Sequence, residues 1–422
     1  MAMVINEWNA VHEAAELLGV SADTIRRWEK KGLIRAKRGK HGERLFEQQE
    51  LRRVAEQGEN SSGVWTQLKA EKSSVSLIEL FCGAGGLALG LSNAGLESKL
   101  LVDSDSNAIK TLQQNRPDWN SRVASVTEIN LHEFEGKVSV MVGGFPCQAF
   151  SYAGKQRGFE DARGTLFYDF ARLVSQVKPK MVVAENVKGL FSHDGGKTLE
   201  TILNILYEMG YESSYKLMRS QFLDVPQKRE RLIIMATRKE LKLKHLFPEE
   251  KRYTVSLKTA IAGAPSSDGQ EYSAAKKAIM RLIPPGGYWK DLPLDIQKQY
   301  MGGSFLLGGG KTGMARRLSW EEPSLTLTCN PAQKQTERCH PAETRPLTVR
   351  EYARIQCFPD DWEFFGSTSS KYKQIGNAVP VNLGYHVGLA VRAVLGEISA
   401  NAEKPAELVS GTKWIPTIQS GA

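Results

Sequence analysis

Between residues 75 and 237, short apolar runs alternate with stretches of helical periodicity, and no other feature restricts the fold as much. Strands are predicted at 75–80, 99–103, 138–142, 181–184, 212–218 and 231–237. Helices are predicted between them, at 87–94, 107–115, 166–176 and 197–209. Apolar strands separated by helices belong in a sheet covered on both faces. The expectation is an α/β doubly wound, Rossmann-like domain that binds ligands at the carboxyl ends of its strands.

This rhythm occupies 75–244 and then stops. Residues 245–345 are rich in Gly, Pro and basic residues and include a Gly308-Gly309-Gly310 run. An irregular stretch of that length is expected to be functional or a small domain of its own. Helical patterns return at 348–357 and 381–395, so 346–399 reads as a return to the first domain, and 400–422 as a disordered tail. At the other end, 57–74 is a polar linker with its weak point at Asn60-Ser61-Ser62-Gly63. Residues 1–56 form a separate module. An apolar-periodic helix ends at Gly19, and a second helix over 22–30 follows the natural N-cap Ser21 and ends at Gly32. Two short helices joined by a tight turn make a helix-turn-helix candidate. The second helix carries Arg26 and Arg27, and a basic hairpin over 35–46 has the makings of a wing.

The charge balance supports a polyanionic partner. The chain has a net charge of +9 and a pI of about 9.1. The excess is concentrated: residues 26–44 hold nine Lys/Arg against two acids, and residues 238–345 hold eighteen against eleven. Such runs are also common on plain solvated surfaces, so charge alone does not decide. The cysteine count is odd, at five, no secretory leader precedes residue 12, and no apolar run approaches a membrane span. These features predict free thiols in a reducing cytoplasm and no membrane association. Cys329, Cys339 and Cys357 lack C-x-x-C spacing, and His340 beside Cys339 is the one hint of a metal site, so none is expected.

Three segments carry chemistry. Phe81-Cys82-Gly83-Ala84-Gly85-Gly86 follows the first strand and opens a helix, where glycines let a ligand approach backbone N–H groups. Alone it is a weak signal, because such turns bind many cofactors and sometimes none. Asp103 ends the second strand, where an acid takes ribose hydroxyls, and the two together point to an adenosyl ligand. Gly143-Gly144-Phe145-Pro146-Cys147-Gln148 ends the third strand, with its thiol in a turn. Free cysteines are often inert core residues, but this one is followed by polar Gln148 and Ser151 and a Gly- and charge-rich loop. Glu185 follows the next strand and reaches the same sheet edge. Arg229 and Arg231, in Gln227-Lys228-Arg229-Glu230-Arg231, share a strand face and suit an anion or a carbonyl oxygen.

With these motifs in this order, the chain resembles cytosine-C5 DNA methyltransferases of the bacterial restriction–modification type over about 75–395. Phe81–Gly86 resembles the S-adenosyl-L-methionine loop, 144–148 the nucleophile motif, Glu185-Asn186-Val187 the base-binding motif and 227–231 the arginine motif. Arg345-Pro346-Leu347-Thr348-Val349-Arg350-Glu351, with Arg354, Gln356, Phe358 and Pro359, resembles the ninth motif, and 374–380 the last. The resemblance implies covalent attack by Cys147 on C6 of a flipped cytosine, Glu185 on the N3 and N4 edge, Arg231 on O2 and Arg229 in support. It implies a cofactor pocket lined by Phe81, Gly83, Gly85, Gly86, Asp103, Pro146 and Asn377. Gln148, Ser151 and Arg163 in the closing loop are the implied DNA contacts, with Thr326 and Leu327 at the family's Thr-Leu signature in a target-recognition region, 245–345. Three positions depart from the pattern: Glu79 stands for the usual Asp, Ser125 for the acid that meets the adenine amino group, and Ser104 for a bulkier contact.

The N-terminal module resembles a MerR/excisionase-type winged helix-turn-helix, through 14–21, Thr24-Ile25-Arg26-Arg27-Trp28-Glu29, Gly32-Leu33-Ile34 and Arg44-Leu45-Phe46. It implies DNA binding through Arg26 and Arg27, with the chain's own promoter as a candidate target. The implied partners are double-stranded DNA and, functionally, a cognate restriction endonuclease; a monomer is the default. Competing readings are a tRNA cytosine methyltransferase and a DNA-binding regulator with a silent methyltransferase body. Intact Cys147, Glu185 and Arg231 disfavour the second, and the basic region and helix-turn-helix disfavour the first.

Overall fold

The computed structural model describes residues 8–17, 22–30, 34–40, 42–48, 50–51, 68–146, 166–307, 311–396 and 408–415. The N-terminal module consists of β1 (Trp8–Ala10), helices Val11–Leu17 and Ala22–Lys30, and a hairpin of β2 (Ala36–Arg38) and β3 (Arg44–Glu47). Strand β1 pairs antiparallel with β3, so the hairpin closes onto the helices. Ala14, Ala15, Ile25, Ile34, Phe46 and Leu51 form its core. Arg26 is exposed on the second helix. Arg27 lies on the same helix, and its side chain is outside the described residues, as are the Gly19, Ser21 and Gly32 punctuation and linker residues 57–67.

The large domain is built on an eight-stranded sheet. Its strands are β4 (Ser76–Leu80), β5 (Glu97–Asp103), β6 (Ser121–Val123), β7 (Val140–Gly143), β8 (Met181–Val187) and β9 (Tyr211–Arg219). After the two-residue β10 (Gln227–Lys228) comes β11 (Glu230–Arg238), and the late chain adds β15 (Thr412–Lys413). The order is β15-β9-β11-β8-β7-β4-β5-β6. Strands β6, β5, β4, β7 and β8 are parallel, as the doubly wound expectation requires. Strand β11 is antiparallel to both β8 and β9. Only residues 220–229 separate β9 from β11, too few for the crossover that parallel strands need. The sheet buries two apolar layers. One lies under helices Gly86–Asn93, Ser106–Asn115, Val349–Ile355 and Val381–Val394, the other under Leu166–Val177 and Lys197–Glu208. Strand order reverses at β4, with β5 and β6 added on one side and β7 and β8 on the other, and this opens a crevice at the strand carboxyl ends.

Some elements depart from expectation. Strand β8 runs to Val187 rather than 184, because pairing with β11 carries it through Glu185 and Asn186, which have poor strand propensity. The short, polar β6 and the helix Thr368–Asn377 have no apolar periodicity to announce them; that helix starts where the Ser367 hydroxyl caps the Ser370 N–H. Most of all, the tail is not disordered over 408–415. Strand β14 (Leu408–Ser410) pairs with β12 (Leu246–Pro248), and β15 pairs with β9. Strand β15 extends the edge of the large sheet, and β14 forms a separate two-stranded pair with β12.

The irregular region has a core of its own, with Met280, Ile283, Trp289, Leu292, Tyr300, Met301, Met314, Ala315 and Cys339. Helices Ala274–Arg281 and Leu294–Met301 contribute to it. Buried Arg317 replaces regular backbone pairing: its guanidinium donates to the carbonyls of Ile283 (2.7 Å), Met280 (2.7 Å) and His340 (3.1 Å). A fully buried Glu337 takes Lys276 Nζ at 2.6 Å. The two-residue strand β13 (Ser324–Leu325) pairs with β10 and joins this region to the large domain.

If β14 and β15 are structural, a chain ending at residue 407 should be less stable by about 1–3 kcal/mol in urea denaturation. An unchanged midpoint would refute their contribution.

Candidate active site

The crevice is lined first by the glycine loop. Phe81, Gly83 and Gly85 all have positive φ (59°, 52° and 86°), so the chain turns sharply between β4 and the helix Gly86–Asn93. A side chain at Gly85 would strike Leu112, whereas one at Gly83 would meet nothing within 4 Å. Gly83 therefore presents bare backbone to open space, as a ligand cradle does. The Asp103 carboxylate braces this loop: it accepts the Gly83 N–H and the Asp105 N–H, each at 2.8 Å. Asp103 thus shapes the loop. Ser125 follows β6, one strand beyond Asp103, and its hydroxyl lies 2.6 Å from Thr127 Oγ1.

Beneath the loop, Glu79 is buried, and its Oε2 has no hydrogen-bond partner. Burial, with Asp103 and Glu185 nearby, raises its pKa well above the ordinary carboxylate range. The sequence marked Glu79 only as a departure from pattern; its orphaned oxygen is what the structure adds.

Strands β7 and β8 are parallel neighbours, with Gly143 opposite Ala184. This register sets Gly144 beside Glu185, and a Cβ at Gly144 would lie 3.2 Å from Glu185 Oε2. Phe145 is buried against Phe167 and Phe170, with ring centroids at 4.9 and 5.7 Å. Asn186 Nδ2 donates to the Phe145 carbonyl at 2.8 Å, latching the segment that leads into Cys147. Cys147, Gln148, Ser151 and Arg163 lie outside the described residues. The other four cysteines are poor nucleophiles at neutral pH: burial raises the thiol pKa of Cys82, Cys329, Cys339 and Cys357.

Opposite, Arg231 Nε lies 2.7 Å from Glu185 Oε1, both side chains largely buried. The β8–β11 register sets Val187 against Arg231 and Ile233 against Glu185, so both side chains share one face. Arg229 does not face the crevice as its partner does. It is 2% exposed and donates to the carbonyls of Leu327 (3.3 Å) and Gly376 (3.2 Å). Burial, with Arg231 close by, pushes its pKa down to about 9.

Arg229 therefore anchors 326–328 to the helix Thr368–Asn377. The Thr326 hydroxyl donates to the Lys228 carbonyl at 2.6 Å, and Leu327 is 1% exposed. The expected Leu327 contact with DNA is corrected here: its side chain is core, because β13 draws it against the sheet. The helix Thr368–Asn377 closes the far wall. Thr111 donates to Gln374 at 2.6 Å, and Lys373 pairs with Asp105 at 2.9 Å. Asn377 is exposed at its end, and its Oδ1 accepts from Cys329 Sγ at 3.1 Å. No local pattern announces Asn186 as a latch or Lys373 as a brace, since their partners lie far off in sequence.

A mostly parallel sheet with the antiparallel strand β11 set between β8 and β9, a glycine loop and a carboxylate–guanidinium pair at the strand ends define a Rossmann-like methyltransferase domain. Residues 75–392 match the C-5 cytosine-specific DNA methylase model, and residues 11–46 match the MerR family regulatory protein model. The chain belongs to the C-5 cytosine-specific DNA methylase family and is a DNA methyltransferase of the restriction–modification type. It is 51% identical over 408 residues to the Type II methyltransferase M.Eco47II of Escherichia coli, covering 94% of this chain and 98% of that one. It is 50% identical over 331 residues to the Type II methyltransferase M.Sau96I of Staphylococcus aureus, covering 77% of each chain. Its fold is like that of the Schizosaccharomyces pombe Dnmt2 methyltransferase, with a TM-score of 0.51, 16% identity, and coverage of 76% of this chain and 99% of that one.

Two outcomes are expected. Glu79 holds a proton more tightly in the folded than in the unfolded chain, so folding loses stability as pH rises above the ordinary carboxylate range. Glu79→Gln removes that loss, and its stability relative to wild type should rise between about pH 5 and about pH 8 in urea denaturation. A constant difference would contradict the raised pKa. Asn186→Ala leaves the Phe145 carbonyl unpaired at a cost of about 1–3 kcal/mol. Methylation should fall further than that loss of stability accounts for, and equal losses would deny Asn186 a role in aligning the nucleophile segment.

Proposed function

We propose that this chain methylates C5 of cytosine within one short duplex sequence, using S-adenosyl-L-methionine, with Cys147 as nucleophile. The observation that carries this reading is the Glu185–Arg231 pair, 2.7 Å apart beside Gly144 and three residues from Cys147. A carboxylate and a guanidinium on one face match the polar edge of cytosine: Glu185 accepts from N4 and favours a proton on N3, and Arg231 donates to O2. Protonation at N3 draws electrons from the ring, and the Cys147 thiolate adds to C6. C5 becomes nucleophilic in the resulting enamine. When bound, S-adenosyl-L-methionine would supply the methyl group to C5 from its sulfonium, the sulfur keeping the electron pair of the broken S–CH3 bond and leaving as a neutral thioether. Loss of the C5 proton then expels Cys147 and restores the aromatic ring.

The crevice suits that cofactor. Bare backbone at Gly83 offers room, and the braced Asp103 offers negative charge, to a ligand with sulfonium and ammonium charges. Phe81, Gly85, Gly86, Pro146 and Asn377 complete the proposed wall. Arg229 acts by holding 326–328 and Gly376 in place. Cytosine's ring is unreachable in a stacked duplex, so the base is flipped, with Gln148, Ser151, Arg163 and Thr326 around it. Residues 245–345 read the sequence. The N-terminal module binds DNA through Arg26 and Arg27, the chain's own promoter being the proposed target, and a cognate endonuclease completes the system. The protein acts as a monomer in the cytoplasm.

Bisulfite sequencing of plasmid DNA from cells making this chain should show protected cytosines in one short motif, lost in Cys147→Ala. No protection by wild type would overturn a DNA substrate and direct the same assay to tRNA. Duplexes with 5-fluorocytosine at the target should trap a covalent complex, because the fluorine cannot leave as the C5 proton does. Trapping by Cys147→Ala would exclude Cys147.

A further inference from the structure

The helix Thr368–Asn377 carries Lys373 and Asn377 four residues apart, so both stand on one of its faces. Each is held by a different part of the chain. Lys373 pairs at 2.9 Å with Asp105, whose own N–H is bonded to Asp103. Asn377 accepts the Cys329 thiol on Oδ1 at 3.1 Å. Cys329 belongs to the recognition region, in the stretch that follows β13, and among the four described cysteines it is the exposed one.

Three ties fix that stretch just ahead of the thiol. Buried Arg338 donates through Nε to the Thr326 carbonyl at 3.1 Å. Arg229 donates to the Leu327 carbonyl, and the Thr328 hydroxyl lies 3.1 Å from that of Thr336. Backbone then meets backbone. A Cβ at Gly376 would lie 2.5 Å from the Thr328 carbonyl oxygen and 2.8 Å from the Cys329 nitrogen, an approach that only glycine permits. The Cys329 sulfur is therefore delivered to the end of the helix with little freedom.

A carboxamide has an acceptor end and a donor end, and a ligand meets one or the other. With Oδ1 engaged by the thiol, Nδ2 is the end left over, and it has no partner among the described residues. Its two N–H groups suit an oxygen acceptor, such as the ribose hydroxyls or the carboxylate of S-adenosyl-L-methionine. An amide turned the other way would set its carbonyl lone pairs against the same carboxylate.

We propose that Cys329 is a positioning residue of the cofactor site: its thiol sets which way round the Asn377 carboxamide stands, so that Nδ2 faces the cofactor. The proposal rests on the S-adenosyl-L-methionine reading above. Cys329 touches no reacting atom and acts through Asn377. It makes the cofactor pocket depend on a side chain supplied by the recognition region.

The test measures binding of S-adenosyl-L-homocysteine, the demethylated cofactor, to the full chain by titration calorimetry. The variants are Cys329→Ala, Cys329→Ser, Asn377→Ala and the Cys329→Ala/Asn377→Ala double. Cys329→Ala should bind roughly threefold to tenfold more weakly, the range of one neutral hydrogen bond. Cys329→Ser keeps a donor at the same place and should come within about twofold of wild type. The double variant should bind no more weakly than Asn377→Ala alone, because the thiol acts only through the amide. In methylation, Cys329→Ala should raise KM for S-adenosyl-L-methionine and leave kcat within about twofold. Wild-type binding by Cys329→Ala would overturn the proposal. So would multiplying losses in the double variant, the result expected if Cys329→Ala merely loosened the fold, and so would a fall in kcat at constant KM. If wild type itself bound no S-adenosyl-L-homocysteine, the cofactor reading would fall and this role with it, a result seen before any variant is compared.

Discussion

One buried guanidinium holds the active site to the rest of the molecule. Arg229 reaches Leu327 and Gly376, which lie 98 and 147 residues away in the chain. Taking a guanidinium out of water is costly, and its lowered pKa is the mark of that cost. The carbonyls it meets would be unsatisfied without it, so the arrangement stands or falls as a unit. From this fixed point the chain turns into β11 and aims Arg231 at Glu185. The pair that faces the substrate is therefore set by a residue that does not.

The crevice gathers like charges. Glu79, Asp103 and Glu185 come together near the carboxyl ends of β4, β5 and β8, and their proximity raises Glu79 further than burial alone. Such a concentration opposes folding and is characteristic of sites built for a cationic ligand. Arg231 offsets it on one side and Lys373, through Asp105, on the other. Burial, with Glu79 and Asp103 nearby, raises the Cys82 thiol, which sits within the glycine loop. A methyltransferase with one intended nucleophile benefits from thiols elsewhere being inert.

The recognition region solves a different problem. With only short strands and short helices, its backbone carbonyls need donors, and Arg317 supplies several at once. Lys276 and Glu337 add a buried ion pair in the same core. Polar groups of this kind specify one arrangement of irregular chain because alternatives leave them unpaired.

Periodicity in the sequence was enough for the doubly wound sheet, because strand and helix repeats depend on neighbours a few residues apart. Motif order was enough to single out Glu185, Arg229, Arg231 and the glycine loop. The limits of the same reasoning are equally physical. Strand β8 continues through Glu185 and Asn186 because β11 lies beside it, and the tail strands β14 and β15 exist because sheet edges were free to receive them. Leu327 is core and Arg229 a tie because long-range packing turned them inward. The Asn186 latch and the Lys373–Asp105 brace join segments 41 and 268 residues apart. The sequence by itself determined the main strands and helices of the doubly wound sheet and which chemical groups stand at their ends. Only the tertiary structure decided which of those groups meet, because a contact between distant segments is encoded in the packing of the whole chain and in no local repeat.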